Sequence, residues 1–160
     1  MNAAEELETV ERYMRQRGFR WTSQRKLIAE VVFGTHEHFN AEELLEMCRG
    51  VDNQVSRATV YRTLAMLESA GFVEGLDTGE GGKRFEHILG HAHHDHMLCQ
   101  VCGKILEFRD AELEQRKEAV ARAQGFRLLS HSLKLNVECL DPGCAGRFGR
   151  TPSGEHSADD

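Results

Sequence analysis

Residues 55–87 read VSRATVYRTLAMLESAGFVEGLDTGEGGKRFEH. Ser56 is a good helix N-cap. Val60, Leu64, Leu67 and Ala70 follow it as the stripe of an amphipathic helix whose C-cap falls at Gly71. Phe72 to Leu76 and Lys83 to His87 then read as two short strands around a turn-rich tip, Asp77 to Gly82. Arg57, Thr59, Tyr61 and Arg62 lie off the apolar stripe. A helix that buries one side, offers bases and a phenol on the other, and leads into a hairpin describes a winged helix-turn-helix. The same pattern also fits an ordinary small α+β core, so the charge around it has to decide.

Three further helices precede this one. Leu7, Val10 and Met14 mark the first, which Gly18 ends; Thr22 or Ser23 caps a second that carries Leu27, Ile28, Val31 and Val32 up to Gly34. Asn40 with Glu43 forms a capping box for a third, with Leu44, Leu45 and Met47. The chain is acidic, with 20 Lys plus Arg against 26 Asp plus Glu and a net charge of -6, which argues against indiscriminate coating of nucleic acid or anionic membrane. Locally the balance reverses: Arg12, Arg15, Arg17, Arg20, Arg25 and Lys26 crowd the segment leading into the helical core. Such bases suit phosphate contacts that position a duplex, while Arg57, Tyr61 and Arg62 are placed to read base edges.

A length of 160 residues accommodates one or two small cores and excludes a large multidomain enzyme. No apolar run approaches the roughly 20 residues that cross a bilayer, and MNAAEELETVERY lacks a signal-peptide core, so a cytoplasmic protein is expected. The character changes near residue 88. Met97 to Phe108 reads as strand, turn at Gly103 and strand, Asp110 to Gln124 as a helix ended by Gly125, and Phe126 to Cys139 as a further strand. In the last, Leu133, Leu135 and Val137 alternate with Lys134, Asn136 and Glu138. The expected organisation is an α+β chain: a winged-helix domain at 1–87, a small α/β domain at 88–145 whose meagre core calls for a dimer, and a disordered tail at 146–160.

Metal-capable side chains crowd the second half: of five Cys and nine His, four Cys and five His follow His87 up to Cys144. Without an export signal thiols stay reduced. Cys99-x-x-Cys102 with Cys139-x4-Cys144 then reads as a closed tetrahedral zinc site, and Cys48 as a buried core thiol. In His91-Ala92-His93-His94-Asp95-His96 an extended backbone would turn His94 and His96 one way and His93 and Asp95 the other. Further ligands for the His94 and His96 side are available from Glu86, His87, His36 and His38, a set suited to Fe(II), Mn(II), Co(II) or Zn(II). The same letters match the H-x-H-x-D-H pattern of metallo-β-lactamase-like hydrolases. That fold needs ligands well downstream, and only 64 residues follow His96, four of them cysteines better explained by zinc. A zinc-stabilised interaction module that ignores DNA is a third reading.

Arg20-x-Thr22-x-x-Arg25, His38-x-x-Ala41-Glu42, Ala58-Thr59-Val60-Tyr61-Arg62, His93-His94-Asp95-His96-x-x-Cys99-x-x-Cys102-Gly103, His131 and Cys139-x4-Cys144 together resemble the ferric uptake regulator family, over about residues 8 to 145. The resemblance implies a dimeric, metal-dependent repressor that is not an enzyme and binds double-stranded DNA at an A/T-rich palindromic operator. It implies structural zinc on Cys99, Cys102, Cys139 and Cys144, a regulatory site on His38, Glu86, His94 and His96, and an additional site on His93, Asp95, Glu114 and His131. It further implies DNA contacts from Arg20, Arg25, Arg57, Thr59, Tyr61 and Arg62, with Arg20 entering an A/T-rich minor groove. Glu86 resembles the iron-sensing branch; the zinc-uptake branch tends to include a thiolate, and the peroxide-sensing branch tends to place Asp there, so a zinc- or a peroxide- or manganese-responsive regulator is the alternative within the family. The link from Glu86 to His94 is about one residue longer than the family suggests, which leaves His87 or Glu107 as a further ligand.

Overall fold

In the computed structural model, residues 3–79 and 82–140 are described, and they divide into a unit ending at Ala92 and one beginning at His93. The first unit holds α1 (Ala3–Gln16), α2 (Ser23–Gly34), α3 (Ala41–Val51) and α4 (Arg57–Ser69), followed by β1 (Val73–Asp77) and β2 (Lys83–His87). Each helix begins or ends where the sequence supplies the chemistry. The Thr22 side chain accepts from the Arg25 N–H, and the Ser56 side chain accepts from the Thr59 N–H. Asn40 and Glu43 complete a reciprocal capping box. Gly71 takes φ +75°, its N–H donates to Glu68 O and that of Phe72 to Leu67 O, a Schellman stop for α4.

The core of this unit is one cluster. Val10 and Met14 of α1 join Ile28, Val32 and Phe33 of α2, Leu44, Leu45 and Cys48 of α3, and Val60, Leu64 and Leu67 of α4. The strands close it through Val73 and Phe85. They pair antiparallel from Val73↔His87 to Asp77↔Lys83, so the expected hairpin is present. A second tie holds the chain ahead of α3 to this hairpin: Phe39 and Phe85 exchange both backbone hydrogen bonds, at 3.0 and 2.7 Å.

The second unit holds β3 (Asp95–Cys99), β4 (Ile105–Phe108), α5 (Ala111–Ala123) and β5 (Lys134–Val137). β3 is central, antiparallel to β4 and parallel to β5. Two boundaries differ from expectation. The first unit runs on past 87 because the Ile88 N–H donates to Phe72 O and Leu89 packs on the helical core. The long final strand expected from Phe126 shrinks to Lys134–Val137, since its ladder reaches only as far as β3 supplies partners, from His96↔Lys134 to Cys99↔Val137. The expected tail at 146–160 lies outside the described residues. Among those described, no helix is long and apolar enough to cross a membrane.

Gly71 has open space around its missing Cβ but a left-handed backbone, whereas Gly50 lies inside α3 with no such conformation and no neighbour to clash. Gly71→Ala should therefore lower unfolding free energy by about 1–2 kcal/mol, while Gly50→Ala should raise it by roughly 0.4–1 kcal/mol. Urea denaturation of the two variants checks the opposite signs.

Candidate metal centres and nucleic-acid interface

The Phe39–Phe85 bridge sets the first ligand pair. In antiparallel pairing the flanking residues 38 and 86 fall opposite each other, and the His38 imidazole lies 3.5 Å from a Glu86 carboxylate oxygen, both largely buried. Arg84 anchors this arrangement by donating to the His38 carbonyl at 2.5 Å and to Glu43 at 3.1 Å. His87, next along β2, faces away. Its Nδ1 lies 3.0 Å from the Thr35 carbonyl, and its ring meets those of His36 and His91. Burial pushes the His87 imidazole below its ordinary range, more than the Thr35 hydrogen bond pulls it up. The four first-half residues considered as ligands thus separate, His38 with Glu86 and His36 with His87.

In the second unit the alternation expected for residues 93–96 is present. The His94 and His96 rings adjoin at 5.0 Å, and Glu107 of β4 brings a carboxylate to 3.8 Å from His94. Of the two further ligands left open, Glu107 reaches His94 and His87 belongs elsewhere. On the other face His93, Asp95, Glu114 and His131 converge, with His93 and His131 nitrogens 2.7 Å apart. Asp95 is buried, and its Oδ1 has no hydrogen-bond partner but lies 3.4 Å from a nitrogen of each imidazole. An orphaned buried carboxylate oxygen between two imidazoles fits a divalent cation.

Lys117, which the sequence reading did not include, also enters this group. Its ammonium donates to Asp95 at 2.9 Å, to Glu114 at 2.7 Å and to His131 at 2.6 Å, using all three protons. Burial would raise the Asp95 pKa, but the Lys117 hydrogen bond and charge, with His131 and His93, hold it below the ordinary carboxylate range. A carboxyl depressed in this way adds stability above its unfolded pKa and loses that contribution as pH falls through the folded one. The i, i+3 spacing of Glu114 and Lys117 on α5 was the available signal.

Cys99, Cys102 and Cys139 form the third group, with sulfurs 3.3 Å apart for Cys99 and Cys139 and 3.6 Å for Cys102 and Cys139. These distances exceed a disulfide and approach the ~3.8 Å edge of a tetrahedron with 2.3 Å zinc–sulfur bonds. Burial works against ionisation of Cys99, yet the Cys102 and Val101 N–H groups and the neighbouring thiols lower its pKa to about 6, so the thiolate, the form that a zinc ion would require, is available at neutral pH. Cys144 lies outside the described residues. Cys48 is buried in the helical core, and burial raises its pKa to about 11.

The residues expected to meet DNA fall into two sets. Arg20, Arg25, Thr59 and Arg62 line one concavity where α2 and α4 begin. Arg57 and Tyr61 instead both engage Glu42, at the start of α3. The Glu42 hydrogen bond raises the Tyr61 pKa, so the phenol remains a proton donor.

Comparison with known proteins gives a consistent picture. The Ferric uptake regulator family matches residues 16–136. The ferric uptake regulation protein of Campylobacter jejuni is 36% identical over 137 residues, covering 84% of this chain and 87% of the relative. The Helicobacter pylori ferric uptake regulator, described as having three functional metal binding sites, superposes with a TM-score of 0.77 at 33% identity, over 88% of this chain and 93% of that one. The Pseudomonas aeruginosa regulator with manganese gives 0.72 at 33% identity, over 81% and 97%.

Lys117→Met should leave Asp95 buried without its cation and cost on the order of 3 kcal/mol in chelator. Added Zn(II) should recover most of that loss. Thermal unfolding of wild type and variant with and without Zn(II) measures both; a variant as stable as wild type in chelator would show that the ammonium contributes nothing.

Proposed function

The chain belongs to the ferric uptake regulator family, and from that premise we propose that it is a homodimeric, Fe(II)-responsive repressor of metal-uptake genes, acting in the cytoplasm on an A/T-rich palindromic operator. The observation that carries the reading is the division of ligands. His38 and Glu86 are paired in the first unit, and His94, His96 and Glu107 are neighbours in the second. The regulatory site proposed here combines His38, Glu86, His94 and His96, with Glu107 as a fifth donor. When bound, the ion supplies one positive centre that these donors share. Imidazoles with carboxylates and no thiolate favour Fe(II) or Mn(II) over soft ions. The manganese-containing Pseudomonas relative supports Mn(II) as the second reading, and zinc or peroxide sensing stays within the same family.

The remaining residues have distinct tasks. Cys99, Cys102 and Cys139, with Cys144, hold structural zinc. His93, Asp95, Glu114 and His131 form the additional site, with Lys117 competing for it. Arg25 and Thr59 position the phosphate backbone, Arg20 enters the minor groove, and Arg62 reads base edges together with Arg57 and Tyr61 once those two are released from Glu42. Dimerisation would cover Leu106, Val120, Phe126 and Leu129, apolar side chains exposed on the second unit. Operator and metal affinities are then linked reciprocally. Moving the chain from mostly non-binding to mostly binding needs about 5 kcal/mol of metal preference for the binding form.

Operator affinity measured without oxygen, with Fe(II) and with chelator at one salt concentration, tests the proposal. Wild type should bind far more tightly with Fe(II), and His94→Ala with His96→Ala should abolish that difference while leaving a folded, zinc-containing dimer. Equal affinity of stripped and loaded protein would overturn it. Glu42→Gln should free Arg57 and Tyr61 and tighten operator binding several-fold at low salt, read by fluorescence anisotropy; weaker binding would make Glu42 a support for the recognition helix.

A further inference from the structure

His36, His87 and His91 form a group of imidazoles contained in the first unit, on the face of β2 opposite Glu86. One ring nitrogen from each lies within 4.8 Å of the others. The ring centroids are 4.4 Å apart for His87 and His91 and 5.7 Å apart for His36 and His87. The three come from separate segments: the loop after α2, the last residue of β2, and the turn that follows it. That turn folds back on the strand. Gly90 takes φ +79° and the His91 N–H donates to Ile88 O at 3.1 Å, which brings the His91 ring back against His87.

His87 is the anchor. It is buried, and its Nδ1 is hydrogen-bonded to a carbonyl that can only accept. Nδ1 therefore carries the proton and Nε2 the lone pair, the arrangement by which an outer hydrogen bond orients a metal-binding histidine. His36 and His91 are exposed, so their rings can adjust to a common centre. Glu6 of α1, also buried, bears on His87 with its charge and helps offset a dication. A group of three imidazoles without thiolate suits Zn(II), Co(II) or Ni(II) and rejects Mg(II) and Ca(II), which require oxygen donors.

We infer that His36, His87 and His91 are a distinct site for one borderline divalent transition ion, separate from the proposed regulatory ligands and wholly within the first unit. An ion there ties the turn at residues 88–91, where the chain leaves this unit, to the end of β2 and the loop after α2. Its affinity is independent of whether Fe(II) controls operator binding.

Two measurements on the full-length protein test this. In a background carrying His38→Ala, His94→Ala and His131→Ala, with zinc retained on the cysteines, Co(II) titration should give visible d–d absorption and saturate at one ion per chain. Adding His36→Ala and His91→Ala should weaken that binding at least tenfold. In the wild-type chain, Zn(II) followed by long-range 1H–15N correlation should move the His87 Nε2 resonance strongly and leave its protonated Nδ1 nearly in place. A His87 Nε2 that stays put at saturating Zn(II), or Co(II) binding that survives loss of His36 and His91 undiminished, overturns the site.

Discussion

Extended backbone turns successive side chains to opposite faces, and that single constraint sorts the metal-capable residues of this protein. On β2 it sends Glu86 to His38 and His87 to His36 and His91. From residue 93 to 96 it sends His93 and Asp95 toward His131, and gathers His94 and His96 on the other face. A slip of one residue in either segment would exchange the sets, so ligand identity depends on register. Register is well fixed in both places. β2 is paired along its whole length with β1 and bridged at Phe85 by Phe39, while β3 is hydrogen-bonded on both edges.

Charge is managed locally. The chain is acidic overall, yet four of the residues expected at DNA line one concavity, which suits binding that depends on a specific duplex rather than on bulk attraction. Two other charged side chains act as internal counterparts. Glu42 holds Arg57 and Tyr61, and Lys117 sits among Asp95, Glu114 and His131 as a resident cation. In both cases a charged residue occupies groups whose chemistry suits an external ligand, so in the proposed function a ligand there would have to displace or share that partner.

The two units are stabilised differently. The first has a contiguous apolar core drawn from four helices and a hairpin. In the second, α5 buries no residue completely, and Leu106, Val120, Phe126 and Leu129 remain exposed. Among the described residues its tightly buried positions lie in Asp95, His96, Leu98 and Cys99 of β3 and in Val101 just beyond it, beside the converging thiols and the Asp95 group. This unit has little dry core among the described residues, in keeping with the proposal that bound metal and a second copy stabilise it.

The helices and their ends were legible in the amino-acid order, because caps such as Asn40 with Glu43 and stops such as Gly71 act over a few neighbouring residues. So were the hairpin and the split of residues 93–96 between two faces, since alternation is a local property of the chain. The amino-acid order did not reveal that His38 belongs with Glu86 and His36 with His87, that Lys117 enters the Asp95 group, or that Glu42 takes Arg57 and Tyr61. Nor could it limit the last strand to Lys134–Val137, a length set by its partner. Those outcomes rest on pairings between segments far apart in the chain. Only the folded backbone decides them, because one residue of register or one turn of helix changes which side chains meet.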